Sequence, residues 1–312
     1  MYSQKNPPEL TTVADWIRFA TSRFAAASLH YGHGTASASD EAHALVMQVL
    51  GLGFAPAAYV YQATLTATER EHLASLIERR IAERIPLPYL LGSAWFCGLE
   101  FTVDPRVLIP RSPIAELIET RFEPWAALAP GARILDMCTG SGCIAIACAL
   151  WLDDVTVDAV DLDDDALAVA GANVARHAVS DRVTLHRSDL FSALDGRRYD
   201  LIVANPPYVP PASIEHLPPE YAHEPTVALR ADDDGLALVH RLIAAAVHHL
   251  TDDGVLIVEV GESADSFVEA YPSLPVMWCE FERGGDGVFA LNASALGEYA
   301  AASPARDSRH VG

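Results

Sequence analysis

Residues 133–147, "RILDMCTGSGCIAIA", decide which fold this chain adopts. The apolar run "RILDM" predicts a buried strand, Gly140 and Gly142 predict a tight turn, and "CIAIA" begins an apolar helix. Glycine accepts positive φ angles and lets a ligand approach the backbone closely. A buried strand that enters a helix through such a turn is typical of doubly wound α/β domains, which bind ligands at the carboxyl ends of their strands.

Strands and helices go on alternating after this stretch. Further strands are predicted at 155–161, 182–188, 199–205 and 254–261, with apolar-periodic helices between them. Two last segments, 275–283 and 287–294, are joined across "GGDG" and predict an antiparallel hairpin at the sheet edge. The fold class is therefore α/β, a doubly wound Rossmann-like domain over 131–295, with a mostly parallel sheet and an antiparallel edge hairpin.

The chain before this domain has a different pattern. Residues 1–86 show helical spacing in three segments and predict a small helical domain, with Asp40 and Thr68 as helix caps and a role in substrate recognition. Residues 87–130 predict a hairpin and a linker. Residues 296–312 lack an apolar period, so we expect a disordered tail there.

Composition narrows the classes of function. The 312 residues are 51% hydrophobic, and none of the apolar runs is long enough to span a membrane. No leader pattern opens the sequence, and five cysteines at no metal-ligand spacing favour a cytoplasmic protein without a metal site. Lys and Arg number 21 against 42 Asp and Glu, a net charge of −21, which repels nucleic acid and attracts a basic protein partner.

Three acidic residues follow successive strands and predict a nucleoside-containing cofactor. Asp136 ends the first strand, Asp161 ends the second and Asp189 follows the third. Asp161 is placed to accept hydrogen bonds from ribose hydroxyls, and Asp189 is placed either to bind adenine or to cap a helix. "GSGCIA" also fits the dinucleotide fingerprint, so the loop leaves a nicotinamide cofactor and S-adenosylmethionine as alternatives. A carboxylate before the glycines suits the cationic sulfonium and amino groups of S-adenosylmethionine.

"NPPY", residues 205–208, ends the fourth strand. The Asn205 side-chain oxygen and the Pro206 carbonyl can each accept one hydrogen of a planar NH2 group, and Tyr208 can lie against that group. Two prolines keep both acceptors rigid, so little entropy is lost on binding. A strand-terminating turn is the alternative interpretation of this segment.

The chain resembles the S-adenosylmethionine-dependent protein glutamine methyltransferases, which carry D-x-x-T-G-S-G and N-P-P-Y motifs. Both motifs are present here, at 136–142 and 205–208. The resemblance implies roles for three groups of residues. The implied catalytic residues are Asn205, Pro206 and Tyr208. The implied cofactor-binding residues are Asp136, Thr139, Gly140, Gly142, Asp161, Asp189 and Asn205. The implied substrate-binding residues are Pro207, Arg111 and Glu224.

The segment "IPRSPIAELIE", 109–119, and the ending "GGDGVFAL" resemble the branch of this family that methylates ribosomal protein three of the large subunit. The branch that modifies release factors typically reads "PRPET" at this segment, and it is the first alternative. Ser112 joins Arg111 as a residue expected at the pocket edge. The pattern also leaves open a nucleic-acid amino methyltransferase, a nicotinamide-dependent oxidoreductase and a noncatalytic assembly factor, and the acidic charge disfavours the first of these three.

Overall fold

The computed structural model describes residues 9–302, which form two compact units. One unit takes in the chain up to Ala94 together with Val103–Pro105 and Leu217–His223. The other contains Trp95–Thr102, Arg106–His216 and the chain from Glu224 onward. The boundary between the two units therefore falls after Ala94. The helical domain predicted from the sequence ends earlier, at residue 86.

The first unit is helical. Its elements are α1 (Val13–Ala26), α2 (Ala38–Val49), a 3-10 helix (Ala58–Gln62), α3 (Ala67–Glu83) and α4 (Leu87–Leu91). Apolar residues at helical spacing, such as Trp16, Leu45 and Leu73, are fully buried and form its core.

The predicted caps Asp40 and Thr68 were wrong by two or three residues. Helix α2 is capped by Ser37 and α3 by Thr66, and each of these side chains accepts a backbone N–H three residues later. In α3, Glu69 returns a bond to the Thr66 backbone and completes a capping box. Both helices therefore begin earlier than their apolar periodicity indicates, because the cap side chain of each one satisfies an N–H group of the first turn.

The second unit is built around a sheet. It begins with a two-stranded hairpin, β1 (Ser93–Phe96) and β2 (Leu99–Thr102), and then α5 (Ile114–Glu119). The elements that follow are β3 (Arg133–Met137), α6 (Cys143–Trp151), β4 (Thr156–Asp161), α7 (Asp164–Arg176), β5 (Val183–Arg187), β6 (Tyr199–Ala204), α8 (Pro211–Ile214), α9 (Thr226–Leu229), α10 (Ala237–Ala246), β7 (Leu250–Glu259), α11 (Ala264–Ala270), β8 (Met277–Trp278), β9 (Val288–Asn292) and α12 (Ala293–Ala302).

The main sheet has seven strands in the order β5-β4-β3-β6-β7-β9-β8. Strands β3 to β7 run parallel, and β9 pairs antiparallel with β7 and β8. The order reverses between β3 and β6, which opens a crevice at the carboxyl ends of these two strands. The predicted doubly wound α/β fold with its antiparallel edge is confirmed, although β8 is shorter than the predicted strand.

The predicted tail from residue 296 was wrong over its first part. Helix α12 runs to Ala302, Leu296 is buried, and Tyr299 packs against the apolar cluster of the sheet. One buried leucine and one tyrosine are enough to dock a short alanine-rich helix whose own sequence shows little periodicity. Residues 303–312 lie outside the described part of the chain.

Candidate active site

The carboxyl edge of the sheet brings the predicted motifs together. Asp136 of β3 is in register with Val203 of β6, so Asn205 follows two residues later on the neighbouring strand. Ala204 is in turn in register with Val258 of β7, so the next residues, Asn205 and Glu259, end adjacent strands. Parallel pairing thus gathers two carboxylates and a carboxamide at one edge.

Asp136 is buried, and only one of its two carboxylate oxygens accepts hydrogen bonds from the described residues. Its Oδ2 accepts the Thr139 hydroxyl at 2.5 Å and the Ala145 backbone N–H at 3.1 Å. Its Oδ1 is buried without a hydrogen-bond partner among residues 9–302. Burial raises the pKa of Asp136 to about 7, with a smaller contribution from the charge of Asp161 and an opposing one from the two hydrogen bonds. A buried acceptor without a donor is costly, and a donor from a ligand would satisfy it.

The glycine turn leaves room beside this carboxylate. Gly140 and Gly142 both have positive φ angles, 54° and 80°. A Cβ on Gly142 would lie 3.3 Å from the Ala170 and Ile146 side chains, so a larger residue would press α6 against α7. A Cβ on Gly140 would meet no atom within 4 Å, which leaves open space over the backbone at that point.

Asp161 supports the glycine turn directly. Its Oδ2 accepts the Gly140 N–H at 2.9 Å, and its Oδ1 accepts the Asp163 N–H at 3.0 Å. Burial raises its pKa, although these backbone hydrogen bonds oppose the shift. A carboxylate oxygen accepts more than one hydrogen bond, so both oxygens retain capacity for a hydroxyl donor. The predicted ribose role stays a prediction.

Asp189 is paired in a way that the sequence did not indicate. Its carboxylate binds the Arg241 guanidinium of α10 at 2.8 Å, and about half of each side chain is exposed. The backbone N–H of Asp189 donates to Ser192 Oγ. Neither the adenine role nor the helix-cap alternative accounts for this ion pair, and the adenine role stays a prediction.

Asn205 and Pro206 present two acceptors that no other described residue uses. Within residues 9–302, neither the Asn205 carboxamide nor the Pro206 carbonyl takes part in a hydrogen bond. Pro206 is buried, and Asn205, Pro207 and Tyr208 are partly exposed. Two rigid acceptors at the mouth of the crevice suit an NH2 group, which has two hydrogens to donate.

Arg111 and Glu224, both predicted to bind substrate, bind each other. The guanidinium meets the carboxylate in a bidentate pair, with N···O distances of 2.7 and 2.8 Å, and Ile109 N–H donates to the same carboxylate at 3.1 Å. The Glu224 side chain is fully buried. Such a pair is strong and geometrically specific, so it shapes the segment from Ile109 to Ser112.

Glu259 is a site residue that the sequence analysis missed. It is buried at the end of β7 and accepts the Tyr208 hydroxyl at 3.0 Å and the Ser112 hydroxyl at 2.5 Å. Burial raises its pKa, opposed by both hydrogen bonds and by the charge of Arg111. The signal was present in "LIVEVG", where an acidic residue closes a buried strand next to the one that carries NPPY.

These residues fit S-adenosylmethionine. The buried Asp136 oxygen needs a donor, the space over Gly140 admits a ligand, and acidic side chains suit a cationic group. Among the described residues, no three His, Cys, Asp or Glu side chains converge as metal ligands. No helix within residues 9–302 has the length and apolar character needed to cross a membrane.

Comparison with known proteins agrees with this site. Residues 15–92 match the PrmC N-terminal domain, and residues 123–216 match the Methyltransferase small domain. A ribosomal protein uL3 glutamine methyltransferase of Xanthomonas campestris is 50% identical over 289 residues, 92% of this chain and 93% of that protein. A protein of the same name from Francisella tularensis is 44% identical over 304 residues, 96% of this chain and 97% of that protein. This chain belongs to the S-adenosylmethionine-dependent protein glutamine methyltransferases, in the family of the ribosomal protein uL3 enzymes.

Proposed function

We propose that this protein transfers a methyl group from S-adenosylmethionine to the side-chain amide nitrogen of a glutamine in ribosomal protein uL3. The observation that carries this proposal is the pair of unused acceptors on Asn205 and Pro206, one strand away from the buried Asp136 oxygen. The names of the relatives supply the substrate, and the geometry supplies the chemistry.

Asn205 and Pro206 would hold the glutamine NH2 group by its two hydrogens. An amide nitrogen is a poor nucleophile because its lone pair is delocalised into the carbonyl. Two acceptors in fixed positions orient the nitrogen and favour its pyramidal form, in which the lone pair is available. The double proline keeps these positions before the substrate arrives, so catalysis gains from positioning.

S-adenosylmethionine, when bound, supplies an electrophilic methyl group on a sulfonium that leaves as a neutral thioether. Asp136 would hold its charged groups, and Thr139, Gly140, Gly142, Asp161 and Asp189 would surround the rest, with Asn205 at its reactive end. No strong base is needed before transfer, because the amide proton becomes acidic once the nitrogen carries the methyl group.

The protein substrate would be bound by charge and by the helical unit. A net charge of −21 attracts a basic ribosomal protein and repels free nucleic acid, which disfavours a base amine as the target. We assign substrate recognition to the helical domain predicted over residues 1–86, and pocket walls to Pro207 and the Arg111–Glu224 pair. Such an enzyme would act in the cytoplasm, where ribosomal proteins are made.

Methylation of purified substrates tests the proposal. The protein is incubated with S-adenosylmethionine and either unmethylated uL3 or an unmethylated release factor, and peptide mass spectrometry locates any added 14 Da, about the mass of one CH2. A methyl on a uL3 glutamine alone is the expected result. A methyl on the release factor alone would support glutamine methylation but contradict uL3 as the substrate. No methyl on either protein would contradict both parts of the proposal.

A further inference from the structure

Tyr208 of NPPY is held by three separate contacts within the sheet unit. Its hydroxyl donates to Glu259 at 3.0 Å, and its backbone carbonyl accepts the Ser263 hydroxyl at 2.8 Å. Its ring lies against Gly261, where a Cβ would fall 2.4 Å from a ring carbon. Gly261 also has a φ of +47°, so both space and backbone conformation require glycine there.

All three of these contacts come from one short segment, Glu259-Val260-Gly261-Glu262-Ser263. It begins at the last residue of β7, the strand that pairs with β6. The segment therefore forms a cradle under Tyr208, which we call the 259–263 cradle. The cradle's position depends on the same sheet register that sets Asn205, so ring and amide acceptors share one rigid support.

The hydrogen-bond directions make Glu259 an acceptor of two hydroxyl protons. Ser112 Oγ donates to Glu259 at 2.5 Å and accepts the Ile114 backbone N–H at 3.2 Å. Tyr208 donates to the other oxygen. A carboxylate that accepts two O–H groups is satisfied in its ionised form, and charge-assisted bonds of this kind are stronger than neutral ones.

Packing alone does not explain a carboxylate at this position. Glu259 is about 5% exposed, and a buried charge costs free energy that an apolar residue of similar volume would not cost. A Phe ring at 208 over a Leu at 259 would close the same space. The hydrogen bond therefore fixes where the hydroxyl end of the ring lies, and the close contact with Gly261 limits rotation of the ring about its own axis.

We propose that Glu259 is a positioning residue for methyl transfer, which fixes the Tyr208 ring beside the glutamine amide before the substrate binds. The inference rests on the proposed function and deepens it, since it names the residue that preorganises the amide pocket. Glu259 acts through Tyr208 and does not touch the reacting atoms.

A double-mutant cycle on the full chain tests this role. Glu259→Gln removes the charge and Tyr208→Phe removes the hydroxyl, and kcat and KM for uL3 are measured for each single variant and for the double. Each single variant should lose about 10-fold in kcat, with KM for the cofactor unchanged. The double variant should lose no more than the worse single variant, because both changes break one interaction.

Tyr199→Phe is the matched control. Tyr199 is the first residue of β6, the strand that leads into NPPY; it is buried and donates its hydroxyl to the Asp158 carboxylate at 2.8 Å, away from the candidate site. This variant should lower the melting temperature but leave kcat within about twofold. If it loses kcat as Glu259→Gln does, or if the double variant loses the product of both single effects, the positioning role is overturned.

A spectroscopic measurement separates this inference from the proposed function. In protein labelled with 13C-tyrosine, the ring signals of Tyr208 are identified by their loss in Tyr208→Phe. Glu259→Gln should shift or broaden these signals, whereas Tyr199→Phe should leave them in place. Unchanged signals in Glu259→Gln would overturn the inference whatever the substrate, and an unmethylated uL3 with shifted signals would overturn only the proposed function.

Discussion

At the scale of single residues, Asp136 is a buried carboxylate whose desolvation lowers the stability of the protein when no ligand is bound. One of its oxygens is bound twice and the other is buried without a donor among residues 9–302. Its pKa is raised to about 7, chiefly by burial. A ligand that brings a positive charge or an N–H would remove this cost, so the free energy of desolvation is recovered on binding.

Ionisation of Asp136 should therefore change protein stability and cofactor affinity in opposite directions as pH rises. An acid whose folded pKa lies above its unfolded value binds more protons when folded, so the contribution of Asp136 to the stability of the cofactor-free protein falls as pH rises from about 4 to about 7. Cofactor affinity should rise over the same range as the carboxylate ionises. Calorimetric titration and thermal unfolding at matched pH values measure both quantities.

Asp136→Asn is the control for this pair of trends. The variant should bind S-adenosylmethionine at least about 10-fold more weakly at pH 8, and the remaining affinity should no longer rise with pH. The melting temperature of the variant minus that of the unaltered protein should be higher at pH 8 than at pH 5. An affinity that still rises with pH in the variant would assign the titration to another group.

Asn205→Ala should abolish most of the activity. Loss of one of two amide acceptors leaves the NH2 group unfixed, and we expect kcat to fall by about 100-fold while the fold is retained. Asn292→Ala is a matched control, since Asn292 is exposed and its side chain accepts the Ala295 N–H at the start of α12. A kcat of Asn205→Ala within about threefold of the unaltered enzyme would show that Asn205 does not hold the amide.

At the scale of elements, the helical unit is organised around a buried arginine. Arg80 of α3 is fully buried, and its guanidinium binds Glu41 at 2.6 Å, Glu220 at 3.2 Å and the His30 carbonyl at 2.9 Å. Glu220 is also fully buried, and its pKa is lowered because hydrogen bonds from His30, its own backbone and Arg80 outweigh the opposing effect of burial. The network joins α2, α3 and the 3-10 helix Pro219–His223.

Removing this arginine should destabilise the protein strongly. Arg80→Met keeps much of the volume but leaves the buried Glu41 carboxylate without its cation and Glu220 with Arg84 alone, which costs about 3–5 kcal/mol. Arg79→Ala on the same helix is the control, because Arg79 is half exposed and its pair with Glu83 spans 3.5 Å. Its cost should stay within about 0.5 kcal/mol. Urea unfolding of both variants measures the difference, and equal costs would contradict the assigned role of the network.

The sequence predicted most elements but not all of their ends. Continuous apolar runs separated by helical segments predicted strands β3 to β7 and the helices between them. Such runs are expected because a parallel strand is buried on both faces. The caps of α2 and α3 were misplaced because the capping side chains, Ser37 and Thr66, precede the apolar pattern of their helices. Helix α12 was missed because only Leu296 is buried on it and only small residues and Tyr299 pack beside it, which leaves little apolar periodicity.

At the scale of the whole molecule, net charge would act first in the encounter with the proposed protein substrate. A charge of −21 gives a long-range attraction to a basic protein, which acts before any specific contact forms. The small cofactor depends on short-range contacts with buried groups instead, and these are less sensitive to salt.

Salt should therefore weaken one binding step more than the other. Raising NaCl from about 50 mM to about 300 mM should increase KM for uL3 at least about threefold and leave the dissociation constant of the cofactor within about twofold. Steady-state kinetics and calorimetry check the two values. A KM for uL3 that does not depend on salt would contradict the electrostatic recognition of the substrate.

The sequence by itself determined the fold class, the family, and the placement of Asp136 and NPPY at strand ends. These features are local, since strand periodicity, glycine turns and motif order all lie within short segments. Only the tertiary structure decided the partners of these residues. Arg111 and Glu224 are 113 positions apart and bind each other, and Glu259 joins Ser112 and Tyr208 across 147 and 51 positions. Chain separation of this size hides such contacts from any local pattern, because only packing of the strands and their loops brings the side chains within hydrogen-bond distance.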